Sequence, residues 1–104
     1  MKEEFTPLEL VKNETAQRFE MNVTNAVAII EYKQTNNKIH LIHTEVPQEL
    51  EGKGAATAII EKALAYIEKN QLKLVPLCPF VAAYIKRHPE WKRVLEESVT
   101  VNGQ

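Results

Sequence analysis

The feature that most constrains this chain is a change of hydrophobic period near its middle. Up to Val46 apolar residues return at every second position, and from Ala55 they return at helical spacing. Phe19, Met21 and Val23 alternate with Arg18, Glu20 and Asn22, the signature of a half-buried strand. Ala26 to Tyr32 is a β-branched run, Gln34-Thr35-Asn36-Asn37 reads as a hairpin turn, and Lys38 to Val46 forms the next strand. An earlier extended segment, with Leu8, Leu10 and Lys12 on one face, ends at an Asn13-Glu14 turn. Short strands in succession predict an antiparallel meander.

Beyond the loop Pro47 to Gly54, Ala56, Ile59, Ile60, Ala63 and Ile67 give one apolar face to a helix over Ala55 to Asn70. Leu72 to Leu77 is short and apolar, like a buried strand. Pro79 suits a first helical turn, so Phe80 to Arg87 reads as a second helix that Pro89 stops. The predicted class is α+β: a mixed, mostly antiparallel sheet with two helices and a βαβ unit at its end. A length of 104 residues predicts one domain spanning 1–104. The segment from Glu96 onward has no assignable element.

The sharpest local signal is Glu51-Gly52-Lys53-Gly54-Ala55 at the strand-to-helix junction. Two glycines let the backbone approach a ligand closely, and the first N–H groups of the helix, with its dipole behind them, favour an anion. Lys53 adds a compact positive charge. The loop lacks the third small position of a dinucleotide fingerprint and the Gly-Lys-Ser/Thr of a Walker loop. A tight turn whose glycines serve only backbone angles is the competing reading.

A formal charge of −1 gives no electrostatic case for nucleic acid or an acidic membrane. The first five residues lack a signal peptide's apolar run, and no stretch approaches the roughly 20 apolar residues of a membrane span. With Cys78 as the single cysteine, no internal disulfide can form and a cytoplasmic location is expected.

Val46-Pro47 and Gly52-Lys53-Gly54-Ala55 before a helix resemble the acetyl-CoA signature of the GNAT N-acetyltransferase superfamily. Leu77-Cys78-Pro79-Phe80, the run to His88-Pro89-Glu90-Trp91, and His43-Thr44-Glu45-Val46-Pro47 resemble its minimal branch of about a hundred residues. The likeness covers roughly Phe19 to Trp91. Glu49 stands where the general signature has Gln or Arg, and the chain lacks length for the extra helices that usually shape an acceptor site. The resemblance implies a GNAT-like βαβ core that binds acetyl-CoA or CoA between the strands ending at Val46 and Leu77. It also implies acetyl transfer to an amine whose identity and size are open, as is the oligomeric state.

That chemistry needs cofactor placement, oxyanion stabilisation, a base and an acid. The resemblance assigns oxyanion stabilisation to backbone amides between His43 and Val46, and the acid to Tyr84; the competing reading of Tyr84 is packing under the sheet. Cys78, before Pro79 at a helix start, has its thiolate favoured, and either accepts the acetyl group or shapes the pocket. A regular strand keeps His43 on the face of Leu41 and Glu45, making His43 or Glu45 an available base, against a merely solvent-facing histidine. His40 and His43 would then face opposite ways, and no metal site is expected. Two rivals stand beside the enzyme: a CoA-binding or sensing module without turnover, and an interaction domain with a purely structural glycine loop.

Overall fold

The elements are β1 (Val11–Asn13), β2 (Arg18–Val23), β3 (Ala26–Thr35), β4 (Lys38–Glu45), α1 (Ala55–Lys69), β5 (Lys73–Pro76) and α2 (Pro79–Arg87). Short 3-10 turns at Gln48–Leu50 and Pro89–Val94 complete them. The computed structural model describes residues 3–99. The strands form one sheet in the order β1-β2-β3-β4-β5. The first three pairings are antiparallel and β4–β5 is parallel, which is the mixed sheet expected of a meander closed by a βαβ crossover.

Both helices lie on one face of this sheet, because the strands bury only one set of alternating side chains. Phe19, Met21, Ala28, Ile30, Tyr32, Ile39, Leu41 and Leu74 point into the core, and Asn22, Val27, Glu31 and Lys33 stay exposed behind them. Phe19 anchors the layer, its ring 5.0 Å from Tyr32 and 5.4 Å from Tyr66 of α1. The buried stripe of α1 is Ala55, Ala58, Ile59, Ile60, Ala63, Leu64 and Ile67. Ala56, expected on that stripe, is instead only half-buried, at the helix's open end. Phe5, which carries no periodic signal, is buried in the same core.

α1 ends as its sequence predicts, at Asn70. The N–H groups of Gln71 and Leu72 return to the carbonyls of Glu68 and Ile67 at 3.1 and 2.9 Å. This is a Schellman closure with Gln71 at φ +57, the position glycine usually takes.

Two departures shape the site. In β4 the register against β3 passes from His43 opposite Glu31 to Leu41 opposite Tyr32, so Ile42 is an extra, bulged residue. Before it odd-numbered residues face the helices; after it Thr44 does. His43 therefore does not share Leu41's face. Leu41 is buried, whereas His43 and Glu45 open onto the bare face together with His40, and the two histidines do not point opposite ways. The second departure is the segment after α2, where Leu95 bridges Leu74 and the Glu96 N–H donates to the Leu74 carbonyl at 2.9 Å. Arg93 bonds Glu68 of α1, fixing the 3-10 turn against the helix. No helix among the described residues is long and apolar enough to cross a membrane. Residues 100–104, the end of the unassigned segment, lie outside the described residues.

Candidate functional site

Parallel pairing of β4 and β5 runs from Lys38–Lys73 to Leu41–Pro76 and stops there. Cys78 closes the junction, its N–H donating to the Leu41 carbonyl at 2.8 Å. Past that point β4 runs on to Glu45 while the other chain turns into α2. A bulge bends a strand and strengthens its twist, so the strands part immediately after Ile42.

The direction of the β4 amides follows from one bond. Tyr32 N–H donates to the Gln17 carbonyl at 3.0 Å, so Tyr32 turns its backbone groups toward β2. Glu31 and Ile29 then turn theirs toward β4, closing the ladder with His43 and Glu45. Thr44 and Val46 are left facing the other way, into the gap beside β5.

Across that gap lies the N-terminus of α1. Its first intrahelical bond runs from Ala58 N–H to the Gly54 carbonyl, so the N–H groups of Ala55, Ala56 and Thr57 precede the ladder. No side chain caps them. Gly52 and Gly54 take φ of +76 and +89, the left-handed turn that lets the chain enter the helix without a covering side chain. The resulting cleft, of about 300 Å³, is lined by Thr44, Val46, Leu50, Glu51, Gly52, Gly54 to Thr57, and Phe80. Polar donors sit at its helix end and apolar side chains along its walls.

Not every amide expected to face a ligand does so. Glu51 N–H donates to the Gln48 carbonyl and Lys53 N–H to Leu50, because the 3-10 turn winds the loop before the helix starts. The Lys53 side chain borders a separate groove with Glu4, Phe5 and Glu49. Among the described residues, Glu51 is the only charged residue that lines the cleft itself.

Cys78 is 2% exposed. Its thiol lies 3.2 Å from the Thr44 hydroxyl, bridging the parted strands from behind the cleft. It occupies the N-cap of α2 with Pro79 following, yet makes no capping bond. Its bonded partner is a hydroxyl, not an imidazole or carboxylate.

Tyr84 is also 2% exposed and is not among the residues that line the cleft. Its hydroxyl donates to Glu61 of α1 at 2.6 Å and its ring stacks on His88 at 4.3 Å. Burial holds this phenol well above its usual range, and the bond to the Glu61 carboxylate adds to the effect. His43 is on the opposite side of the sheet, its side chain 56% exposed and 3.8 Å from the Glu45 carboxylate. The structure thus gathers Val46, the glycines and Ala55 around one cleft, sets Cys78 behind it, and separates it from Tyr84 and His43. No group of three metal-binding side chains occurs among the described residues.

Thr44, Leu50, Ala56, Thr57 and Phe80 were not singled out by the sequence as cleft residues. Ala56 and Thr57 were accessible from it, since the second and third residues of any helix carry unsatisfied donors. Thr44 was not, because its inward direction depends on the bulge.

A bulged strand parting from a parallel neighbour, opposite an uncapped helix after a glycine turn, is the architecture of one class of protein. The chain belongs to the GCN5-related N-acetyltransferase family, whose model matches residues 18–94. It is similar to Protein NATD1 of Gallus gallus, 27% identical over 90 residues covering 84% of this chain and 82% of that protein. Against Protein NATD1 of Homo sapiens the identity is 32% over 63 residues, 60% of this chain and 56% of the human protein. Against that of Xenopus tropicalis it is 30%, spanning 58% of the frog protein. Among solved structures, a GCN5-like protein from Staphylococcus aureus, determined in solution by NMR, superposes with a TM-score of 0.65. That match has 26% identity over 88% of this chain and 90% of the other.

Proposed function

We propose that this chain binds acetyl-CoA in the cleft between β4, α1 and α2 and transfers the acetyl group to an amine. The observation that carries this reading is the uncapped mouth of α1: three N–H groups border a space that no side chain among the described residues fills. Such an end favours a pyrophosphate by hydrogen bonding and by dipole. Val46, Leu50 and Phe80 supply the apolar wall that a pantetheine arm needs. When bound, acetyl-CoA supplies the activated acetyl group. The N–H groups of Thr44 and Val46 point where a thioester carbonyl would develop negative charge, which is how backbone donors stabilise an oxyanion.

The acceptor amine approaches from the bare face, where His43 and Glu45 stand side by side at the parted strands. The His43 imidazole and the Glu45 carboxylate are the basic side chains there that receive the amine's proton. Tyr84 serves here as the pin between α2 and α1. Isothermal titration with CoA, then acetyl-CoA turnover over a panel of primary amines, tests the reading. Micromolar binding and transfer to at least one amine are expected, and absence of binding at millimolar CoA defeats it.

One observation favours a second reading, a CoA-binding module without turnover. The family-type acid, Tyr84, is committed to Glu61 rather than to the cleft. Binding of CoA with no transfer to any amine selects that reading.

A further inference from the structure

With the Tyr84 hydroxyl bonded to Glu61 and absent from the cleft lining, another group must supply the proton that a departing thiolate requires. Among the described residues, Thr44 and Thr57 are the hydroxyl-bearing residues that line the cleft. Thr44 is 9% exposed and touches the Cys78 thiol, which is itself screened from solvent. We propose that Thr44 and Cys78 form a two-link proton relay to the sulfur that leaves the acetyl group. This inference rests on the acetyl-transfer reading above.

As the carbon–nitrogen bond forms and the carbon–sulfur bond breaks, Thr44 Oγ1 gives its proton to the departing sulfur, and Cys78 Sγ gives its own to Thr44 Oγ1. Cys78 is left as a thiolate. The acceptor nitrogen gives one proton to the His43 and Glu45 pair on the bare face, which passes it to solvent, and Cys78 takes one back from solvent, so the count closes. A thiol is suited to this because proton transfer between two sulfur groups is close to thermoneutral. Cys78 also sits at the N-cap of the nine-residue α2, with Pro79 after it, a position that holds its thiol beside the Thr44 hydroxyl. Thr44 is the catalytic residue in this scheme and Cys78 acts through it.

The test uses the full chain and two ligands differing only at the terminal sulfur, CoA and desulfo-CoA. Titration calorimetry should show CoA binding about three- to tenfold tighter in the native protein, the worth of one hydrogen bond. Thr44→Val should erase that preference, so that the two ligands bind alike, and Thr44→Ser should restore it. With hydroxylamine, which needs no acceptor pocket, Thr44→Val and Cys78→Ser should each cut turnover about a hundredfold. The serine keeps the shape and the hydrogen bond to Thr44 but is too weak an acid to serve.

Equal binding of the two ligands by the native protein, or an undiminished preference in Thr44→Val, overturns the relay and leaves the acetyl-CoA reading standing. Native turnover in Cys78→Ser, or an acetyl adduct trapped on Cys78, overturns it as well. Failure of both ligands to bind removes the acetyl-CoA reading and the relay with it.

Discussion

At the scale of single residues, the cleft depends on what is missing from the start of α1. Gly54, at φ +89, places the first donors without covering them. Gly54→Val forces a β-branched residue into the left-handed region, costing about 1–2 kcal/mol, and lays a side chain over the donors. CoA affinity should fall at least tenfold by calorimetry in a protein that still folds. Gly52→Ala is a milder change, because a Cβ there meets nothing within 4 Å and only the backbone angle is strained. Glu51 predicts the opposite sign. This residue lines a cleft suited to an anion, so Glu51→Gln should tighten CoA binding about two- to fivefold at low salt, with the gain shrinking as salt screens it. The glycines, the helix start and Cys78 at its proline were legible in the sequence, because each is a local rule of backbone geometry. The side chains facing the cleft from β4 were not, because a single inserted residue decides them.

At the scale of elements, that insertion is the Ile42 bulge. Period-2 reasoning is correct for β2 and β3, where Phe19, Met21, Ile30 and Tyr32 fall on the core face as alternation requires. It fails in β4 between Leu41 and Thr44, and with it fails the placing of His43. Nothing in the composition of Leu41-Ile42-His43 marks a bulge, which arises from pairing with β3 and not from local preference. Deleting Ile42 makes the strand regular: Thr44 stays opposite Ile30 and still faces the helices, but the bend that parts β4 from β5 is lost. The deletion should leave the thermal midpoint unchanged or higher and weaken CoA binding at least tenfold. A deletion variant with native affinity contradicts this role. α2 was readable from Pro79 and Pro89, but the partner of Tyr84 was not, because Glu61 lies on a different helix and only packing brings them within 2.6 Å.

At the scale of the whole molecule, the two helices share one face, and the pin between them has a pH signature. Tyr84 is held above its usual value of 10.0 by burial and then by Glu61, and Tyr32 is raised chiefly by burial. A phenol raised on folding keeps its proton in the native state after the unfolded chain has lost it. Its contribution is therefore complete below about pH 10 and is lost as pH rises through the folded value. Denaturant unfolding followed from pH 8 to 12 should show stability falling above pH 10, and Tyr84→Phe should flatten that fall. The same substitution should cost about 1–3 kcal/mol at neutral pH, because it removes the phenol's hydrogen bond to Glu61. The meander, the crossover and the α+β class followed from period and punctuation alone. The final 3-10 turn and the Leu74–Leu95 bridge did not, since they rest on tertiary contacts with no repeating pattern.

The bare face and the cleft make the central claim directly measurable. In a CoA titration followed by backbone amide shifts, the account predicts the largest changes at Gly52, Gly54, Ala55, Ala56 and Thr57, with Thr44 and Val46 moving beside them. It predicts little at Glu51 and Lys53, whose N–H groups are spent inside the loop. Shifts confined to the bare face around Val27 and Glu31, or none at the start of α1, contradict it.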